Sequence, residues 1–297
     1  MDPSDFDQTT PLAAELQSLS RRRDALKNSA LPPLSSPRII TVANQKGGVG
    51  KTTTAVNIAS SLAHFGNTVL VVDLDPQGNA STALGIDQRS ATESIYNSVI
   101  GSTSVEKIIQ VSPESPRLIC APSNLDLAGA EIELVSMVNR EYQLQTALKE
   151  FLSSEVGTSI EYVIVDCPPS LGLLTLNALV AAQEVLVPIQ CEYYALEGVS
   201  QLVKNIELIR NNLNSQLSLG AILLTMFDSR TKLSQQVEDD VRSHFPDKTL
   251  KTVIPRSVRV SEAPSYGQTV IRHDKGSSGA VAYQEAAIEI AERGVVR

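Results

Sequence analysis

From residue 38 onward the chain repeats one alternation, a short β-branched apolar run followed by a longer stretch with helical spacing. Strands are expected at 38–43, 68–74, 117–121, 162–166, 184–189, 219–225 and 251–254. Helices are expected at 52–65, 125–138, 143–154, 171–182, 196–213, 233–244 and 280–292. Strands separated by helices of this length pair in parallel through crossovers, with the helices covering both faces of the sheet. Runs such as Val69-Leu70-Val71-Val72 and Tyr162-Val163-Ile164-Val165 are apolar at every position. Strands buried on both sides have that composition, whereas half-exposed strands alternate. No internal repeat or second domain is evident, and one α/β domain over 38–297 suits a chain of 297 residues.

Residues 1–37 follow other rules. They hold five of the 15 prolines, six serines and no β-branched apolar residue. Such a segment buries too little surface to offset its ordering entropy and reads as a flexible Pro/Ser-rich tail. Within it Leu12, Leu16, Leu19 and Leu26 stand at helical spacing, with Arg21-Arg22-Arg23 beside them. A short amphipathic helix that docks on the body or on a partner is therefore the other reading of this stretch.

Composition removes several function classes. Aromatic residues are only 4% of the chain, too few for a platform that stacks single-stranded bases. A net charge of −8 argues against coating nucleic acid by bulk charge. No apolar run reaches the ~20 residues of a membrane helix, and the N-terminus is acidic, so a cytoplasmic protein is expected. Cys120, Cys167 and Cys191 are too dispersed for a metal or redox motif and read as small buried hydrophobes. His64, His244 and His273 are scattered and read as structural or surface residues.

The chemistry begins directly after the first strand, at Asn44-Gln45-Lys46-Gly47-Gly48-Val49-Gly50-Lys51-Thr52-Thr53. Strand, glycine-rich turn and helix in succession make a phosphate cradle. Without side chains in the way, the backbone N–H groups of Gly47, Gly48, Val49 and Gly50 converge on an anion, and the helix adds its positive end. Lys51 reaches β- and γ-phosphates, and the Thr52 hydroxyl is a ligand for Mg²⁺. With the alternation above, the expected fold is a P-loop NTPase-like three-layer α/β/α sandwich around a mostly parallel twisted sheet. The usual loop carries glycine at position 45, but Gln45 stands here with Lys46 after it. A second lysine at the mouth is not needed to hold phosphates within one chain.

Two apolar strands end in carboxylates, at the crevice where open α/β sheets bind ligands. The second gives Asp73-Leu74-Asp75-Pro76-Gln77-Gly78-Asn79 and the fourth gives Asp166-Cys167-Pro168-Pro169. The latter is the Walker B arrangement, so Asp166 is assigned to the metal shell. Asp73 is open to a purely structural reading. No nucleophile elbow, zinc helix or Cys/His pair competes for the chemistry.

Lys46-Gly47-Gly48-Val49-Gly50-Lys51-Thr52-Thr53 resembles the signature of the deviant Walker A ATPases, the group of ParA/Soj partition proteins, MinD and the nitrogenase iron protein. The stretches 73–79, 188–198, 224–230 and 253–259 together are similar to chromosomal ParA/Soj proteins. The resemblance runs from residue 38 to the C-terminus and implies the following. The protein is an ATPase using ATP and Mg²⁺. Lys46 reaches across a two-fold interface to the other subunit's phosphates, Asp75 orients the attacking water, and Asp73 lies near the metal shell. The ATP-dependent homodimer binds double-stranded DNA without sequence preference and is released when a ParB-like DNA-binding protein stimulates hydrolysis. It is then nucleoid-associated and drives chromosome or plasmid segregation. Arg230 and Arg259 match positions that contact the DNA backbone, with Arg256 and Lys251 as neighbours. Met226 and Pro255 stand where adenine would lie, and a core-packing reading is open for both. Residues 242–275 carry seven basic against three acidic side chains, which fits a basic strip on an acidic body. A ParA-like positioning ATPase for a protein cargo is an alternative. A MinD-like division-site regulator is another, although the acidic C-terminal segment, with Glu285, Glu289 and Glu292, does not make a membrane-binding helix. An iron-protein reading would need cluster-ligating cysteines, and neither Cys120 nor Cys167 has such a context.

Overall fold

A computed structural model describes residues 11–27, 29–87, 93–193 and 195–294. The first ten residues of the expected tail and residues 295–297 lie outside them. The described elements run α1 (Pro11–Lys27), β1 (Arg38–Val42), α2 (Lys51–His64), β2 (Val69–Asp73), α3 (Asn79–Ala83), α4 (Ile95–Val99), α5 (Val105–Ile108), β3 (Gln110–Val111) and β4 (Leu118–Ala121). They continue α6 (Leu127–Ser136), α7 (Gln143–Leu152), β5 (Tyr162–Asp166), α8 (Leu173–Ala181), β6 (Glu184–Gln190), α9 (Ala195–Asn212), β7 (Ser218–Phe227), α10 (Lys232–His244), β8 (Thr249–Pro255), α11 (Val258–Glu262), α12 (Val270–His273) and α13 (Ser278–Arg293).

Eight strands form one sheet in the order β3-β4-β2-β5-β1-β6-β7-β8. Every pairing is parallel except β3 with β4. β1, β2 and β5 are buried at every residue, as their unbroken apolar runs require. One apolar layer packs β-sheet residues such as Val163 and Val187 with Leu144, Leu148, Leu174 and Leu202 from α7, α8 and α9. The opposite layer packs Ile40, Val71 and Ile164 with Ala55, Ile58 and Leu62 of α2 and Ala282, Tyr283 and Ala286 of α13. The three-layer α/β/α fold follows from this pair of half-cores on one sheet.

The sequence reading passed over β3 and the short helices α3, α4, α5, α11 and α12. Four or five residues make barely one helical turn, too few to display a period. Local bonds define them instead: in α4, Ser94 and Asn97 form a reciprocal capping box.

Ahead of the sheet, Pro11–Lys27 is a helix that packs against α13. Leu26 is buried and Leu16 is exposed. Arg22 donates to both carboxylate oxygens of Glu285 in α13. Leu31 and Leu34 in the following segment pack against the α2–α13 layer.

Candidate functional site

β1 leaves the sheet between β5 and β6 and delivers the glycine-rich loop to the carboxyl ends of both neighbours. Side chains and carbonyls from β6 and β7 hold that loop in shape. Asn44 Nδ2 donates to the Pro188 carbonyl at 2.8 Å, while Asn44 Oδ1 accepts from the Lys46 amide at 3.0 Å. Thr225 Oγ1 donates to the Val49 carbonyl at 2.8 Å. Gly48 and Gly50 adopt φ of 75° and 87°, in the left-handed region where a β-carbon is strained. A β-carbon on Gly47 or Gly48 would meet nothing within 4 Å, so the space beside both glycines is open. α2 starts at Gly50 without a side-chain cap, leaving its first-turn N–H groups for an anion.

The two lysines are held differently. Lys51 is 7% exposed and its Nζ donates across the loop to the Lys46 carbonyl at 3.1 Å. Burial lowers its pKa, and the nearby Asp166, Cys167 and Asp75 oppose that shift. The Lys46 side chain is 46% exposed, with Nζ 3.8 Å from Glu192 Oε2. Glu192 also accepts from Gln190 Nε2 at 2.5 Å and lies 4.0 Å from Arg256.

Asp166 ends β5 fully buried, and among the described residues neither carboxylate oxygen has a hydrogen-bond partner. Desolvation first, and then the Asp73 charge, push its pKa well up; the approach of the Thr52 hydroxyl and Lys51 act the other way. An orphaned buried carboxylate beside a threonine hydroxyl fits a hard divalent cation with oxygen ligands. Asp73 is its register neighbour on β2 and is equally buried, yet it is satisfied. Ser81 donates to Asp73 Oδ2 from its hydroxyl at 2.7 Å and its amide at 2.8 Å, and the Asp75 amide donates to Oδ1 at 3.2 Å. Burial raises Asp73 to about 6 against the lowering by Ser81. Asp75 lies half-buried at the rim, its carboxylate accepting from the Gln77 amide at 3.0 Å and its carbonyl from Gly78 at 2.9 Å.

Beside the cradle a recess of about 170 Å³ is lined by Thr53, Met226, Pro255, Ser257, Val260 and Tyr283, among others. Met226 and Pro255 thus line one recess together with Gly50 and Thr53 of the loop and α2. Met226 takes φ 52°, a strained value for a non-glycine residue, and its Cε approaches Gly50.

Of the four candidate DNA-contact residues, Arg230 and Arg256 lie together, both acting on the Asp228 carboxylate. Arg230 is exposed and pairs with Asp228 at 2.8 Å, which holds that carboxylate down at about 2. Arg259 lies 3.4 Å from Glu262 and 3.5 Å from Asp274. Arg256 sits beside the site at Glu192. Lys251 lies apart, on edge strand β8, in a cleft with Arg22, Glu285 and Glu289.

The family model for an AAA domain matches residues 37–219. The sporulation initiation inhibitor protein Soj of Bacillus subtilis is 48% identical over 257 residues, covering 86% of this chain and 99% of its own. The chromosome partitioning protein ParA of Myxococcus xanthus is 47% identical over 256 residues, with 86% and 88% covered. This chain belongs to the ParA/Soj family of partition ATPases. Among solved structures, a Mycobacterium smegmatis protein described as cobyrinic acid a,c-diamide synthase, with bound ADP and magnesium, superposes at a TM-score of 0.72. It is 39% identical, with 84% of this chain and 92% of that one covered. MinD of Pyrococcus horikoshii shares the fold at TM-score 0.66 and 22% identity, over 88% of this chain and 96% of that one. No helix among the described residues of this ParA/Soj relative is long and apolar enough to cross a membrane.

Three residues that hold the site in place escaped the sequence reading. Glu192, which holds Lys46, lay within a stretch valued only for resemblance. Ser81, which satisfies Asp73, and Asn44, which shapes the loop, are ordinary polar residues whose partners appear only after folding. A polar residue within an otherwise buried segment was the available signal.

Proposed function

We propose that this chain is the ATP-driven switch of a DNA partition system. Backbone N–H groups of Gly47 to Gly50 and the Lys51 ammonium hold the phosphates of ATP, with the base in the recess of Met226 and Pro255. Bound Mg²⁺ would be held by the Thr52 hydroxyl and the Asp166 carboxylate, neutralising charge on the phosphates. Catalysis in such a site is positioning and charge stabilisation, without a covalent intermediate. Asp75 orients the attacking water from the rim.

The observation that carries the reading is Lys46. Lys51 already spans its own cradle, whereas Lys46 is exposed and paired with Glu192 instead. A cation in that position serves a second copy's phosphates, so ATP joins two chains. Dimerisation aligns two sets of Arg230 and Arg259 on one duplex, converting weak backbone contacts into an avid grip that is blind to sequence. Stimulation of hydrolysis by a ParB-like partner separates the dimer, and the protein cycles on and off the nucleoid.

Lys46→Gln tests this reading. Gel filtration with ATP should show loss of the dimer while circular dichroism shows an intact fold. A normal ATP-dependent dimer in the variant overturns the role given to Lys46.

A further inference from the structure

The family match begins at residue 37, so α1 stands ahead of it. Its docking rests on Arg22, which grips Glu285 at 2.8 and 2.5 Å, and on the buried Leu26. Adjacent helical residues are turned about 100° from each other, so the neighbouring Arg23 points elsewhere. Its guanidinium lies against the loop between α12 and α13, 3.6 Å from where a β-carbon on Gly276 would stand. The same loop carries Asp274, whose carboxylate lies 3.5 Å from Arg259 Nε. Arg23 and Arg259 therefore flank one loop, and the exposed Lys275 lies between Asp274 and Gly276 within it.

The positive surface continues from that loop. Arg272 and Lys275, with Arg117, line a cleft of about 350 Å³ next to α2. Its one carboxylate, Glu114, is engaged by Ser60 and Thr269. Among the described residues no ion pair is formed by Arg23, Arg117, Arg272 or Lys275. On a chain of net charge −8, unpaired cations gathered from α1, α12 and two loops make a local polyanion surface.

We infer that α1 is a docked arm that lengthens the DNA-binding surface, with Arg23 contributing a phosphate contact beside Arg259 and Lys275. The inference rests on the DNA reading above and deepens it. Arg22 is the positioning residue: it contacts Glu285, and by fixing the helix it places Arg23. The partner is duplex DNA because Arg23 joins the loop beside Arg259, and its contact carries no sequence information.

The test measures binding of the full chain, with ATP and Mg²⁺, to a random-sequence duplex over a range of salt. Arg23→Ala should weaken binding about three- to tenfold at moderate salt and reduce the slope of log K against log salt by about 1.8 for the dimer, one phosphate contact from each chain. Basal ATP hydrolysis without DNA should not change. Arg22→Glu should reproduce the binding loss by undocking α1, and adding Glu285→Arg should restore it by reversing the ion pair. Unchanged affinity and slope for Arg23→Ala, with Arg259→Glu still weakening binding, overturns the arm and leaves the DNA reading standing. Failure of the wild-type chain to bind duplex overturns both. A loss with Arg23→Ala that appears on anionic vesicles but not on duplex overturns the choice of partner, and failure of the charge reversal to rescue overturns the docking mechanism.

Discussion

The ends of β2 and β5 lie side by side in register, each closing an apolar strand with a buried aspartate, and they are built for different tasks. At β2, three donors surround Asp73, two from Ser81 and one from the Asp75 amide, and this ties the strand to α3 and to the turn that carries Asp75. Ser81 also accepts from the Ser123 amide at 3.1 Å, so the same hydroxyl links the segment after β4. At β5, among the described residues, neither carboxylate oxygen of Asp166 has a hydrogen-bond partner, and only the approach of Thr52 and Lys51 favours its charge. Two aspartates at equivalent strand positions are thus set differently, one fully hydrogen-bonded and the other a buried carboxylate of the kind a bound cation satisfies.

The largest test of this contrast is Asp166→Asn. Hydrolysis with MgATP should fall by about 10³-fold, because charge stabilisation in the phosphate site is lost. The nucleotide-free protein should at the same time melt about 2–4 °C higher at pH 8, since the unpaired carboxylate is gone. Calorimetry without nucleotide reads the second effect, and a lower melting temperature would contradict the orphaned state of Asp166.

Asp73→Ala should act in the opposite direction on the same calorimetric scan. It leaves the Ser81 hydroxyl and amide and the Asp75 amide buried without their acceptor and should cost about 1–3 kcal/mol of stability. Equal stability in the variant would mean that the Ser81 bonds contribute nothing.

The smallest effect is a slope with pH. Asp73 is raised to about 6 in the folded protein from an ordinary value of 3.8. Between those values the folded chain retains a proton that the unfolded chain releases, so raising pH favours unfolding. Stability of the nucleotide-free protein should therefore fall as pH rises from about 4 to 6, with Asp166, shifted in the same direction, extending the fall upward. Removal of the Asp73 carboxylate should flatten the lower part of this slope, and an unchanged curve would place the titration elsewhere.

Much of this site was legible before folding was considered. The strand run Tyr162–Asp166 has the same bounds in the sequence reading and in the structure, because an uninterrupted apolar run with a terminal carboxylate is local information. The loop from Gly47 to Thr52 was readable for the same reason: left-handed glycines followed by a helix specify a backbone conformation within ten residues. Bounds elsewhere moved by one to a few residues, as at β7, which runs Ser218–Phe227 and so ends at Phe227, just past Met226.

The sequence by itself determined the alternation of strands and helices, the phosphate loop, and the candidates Lys46, Lys51, Asp75 and Asp166, because each depends on neighbours a few positions away. Tertiary structure alone decided that Asn44 and Val49 are held by Pro188 and Thr225, that Glu192 takes Lys46, and that Arg22 carries α1 to Glu285. Those pairings join residues more than a hundred positions apart. Their geometry comes from the order of strands in the sheet and the packing of helices on it, which no window along the chain contains.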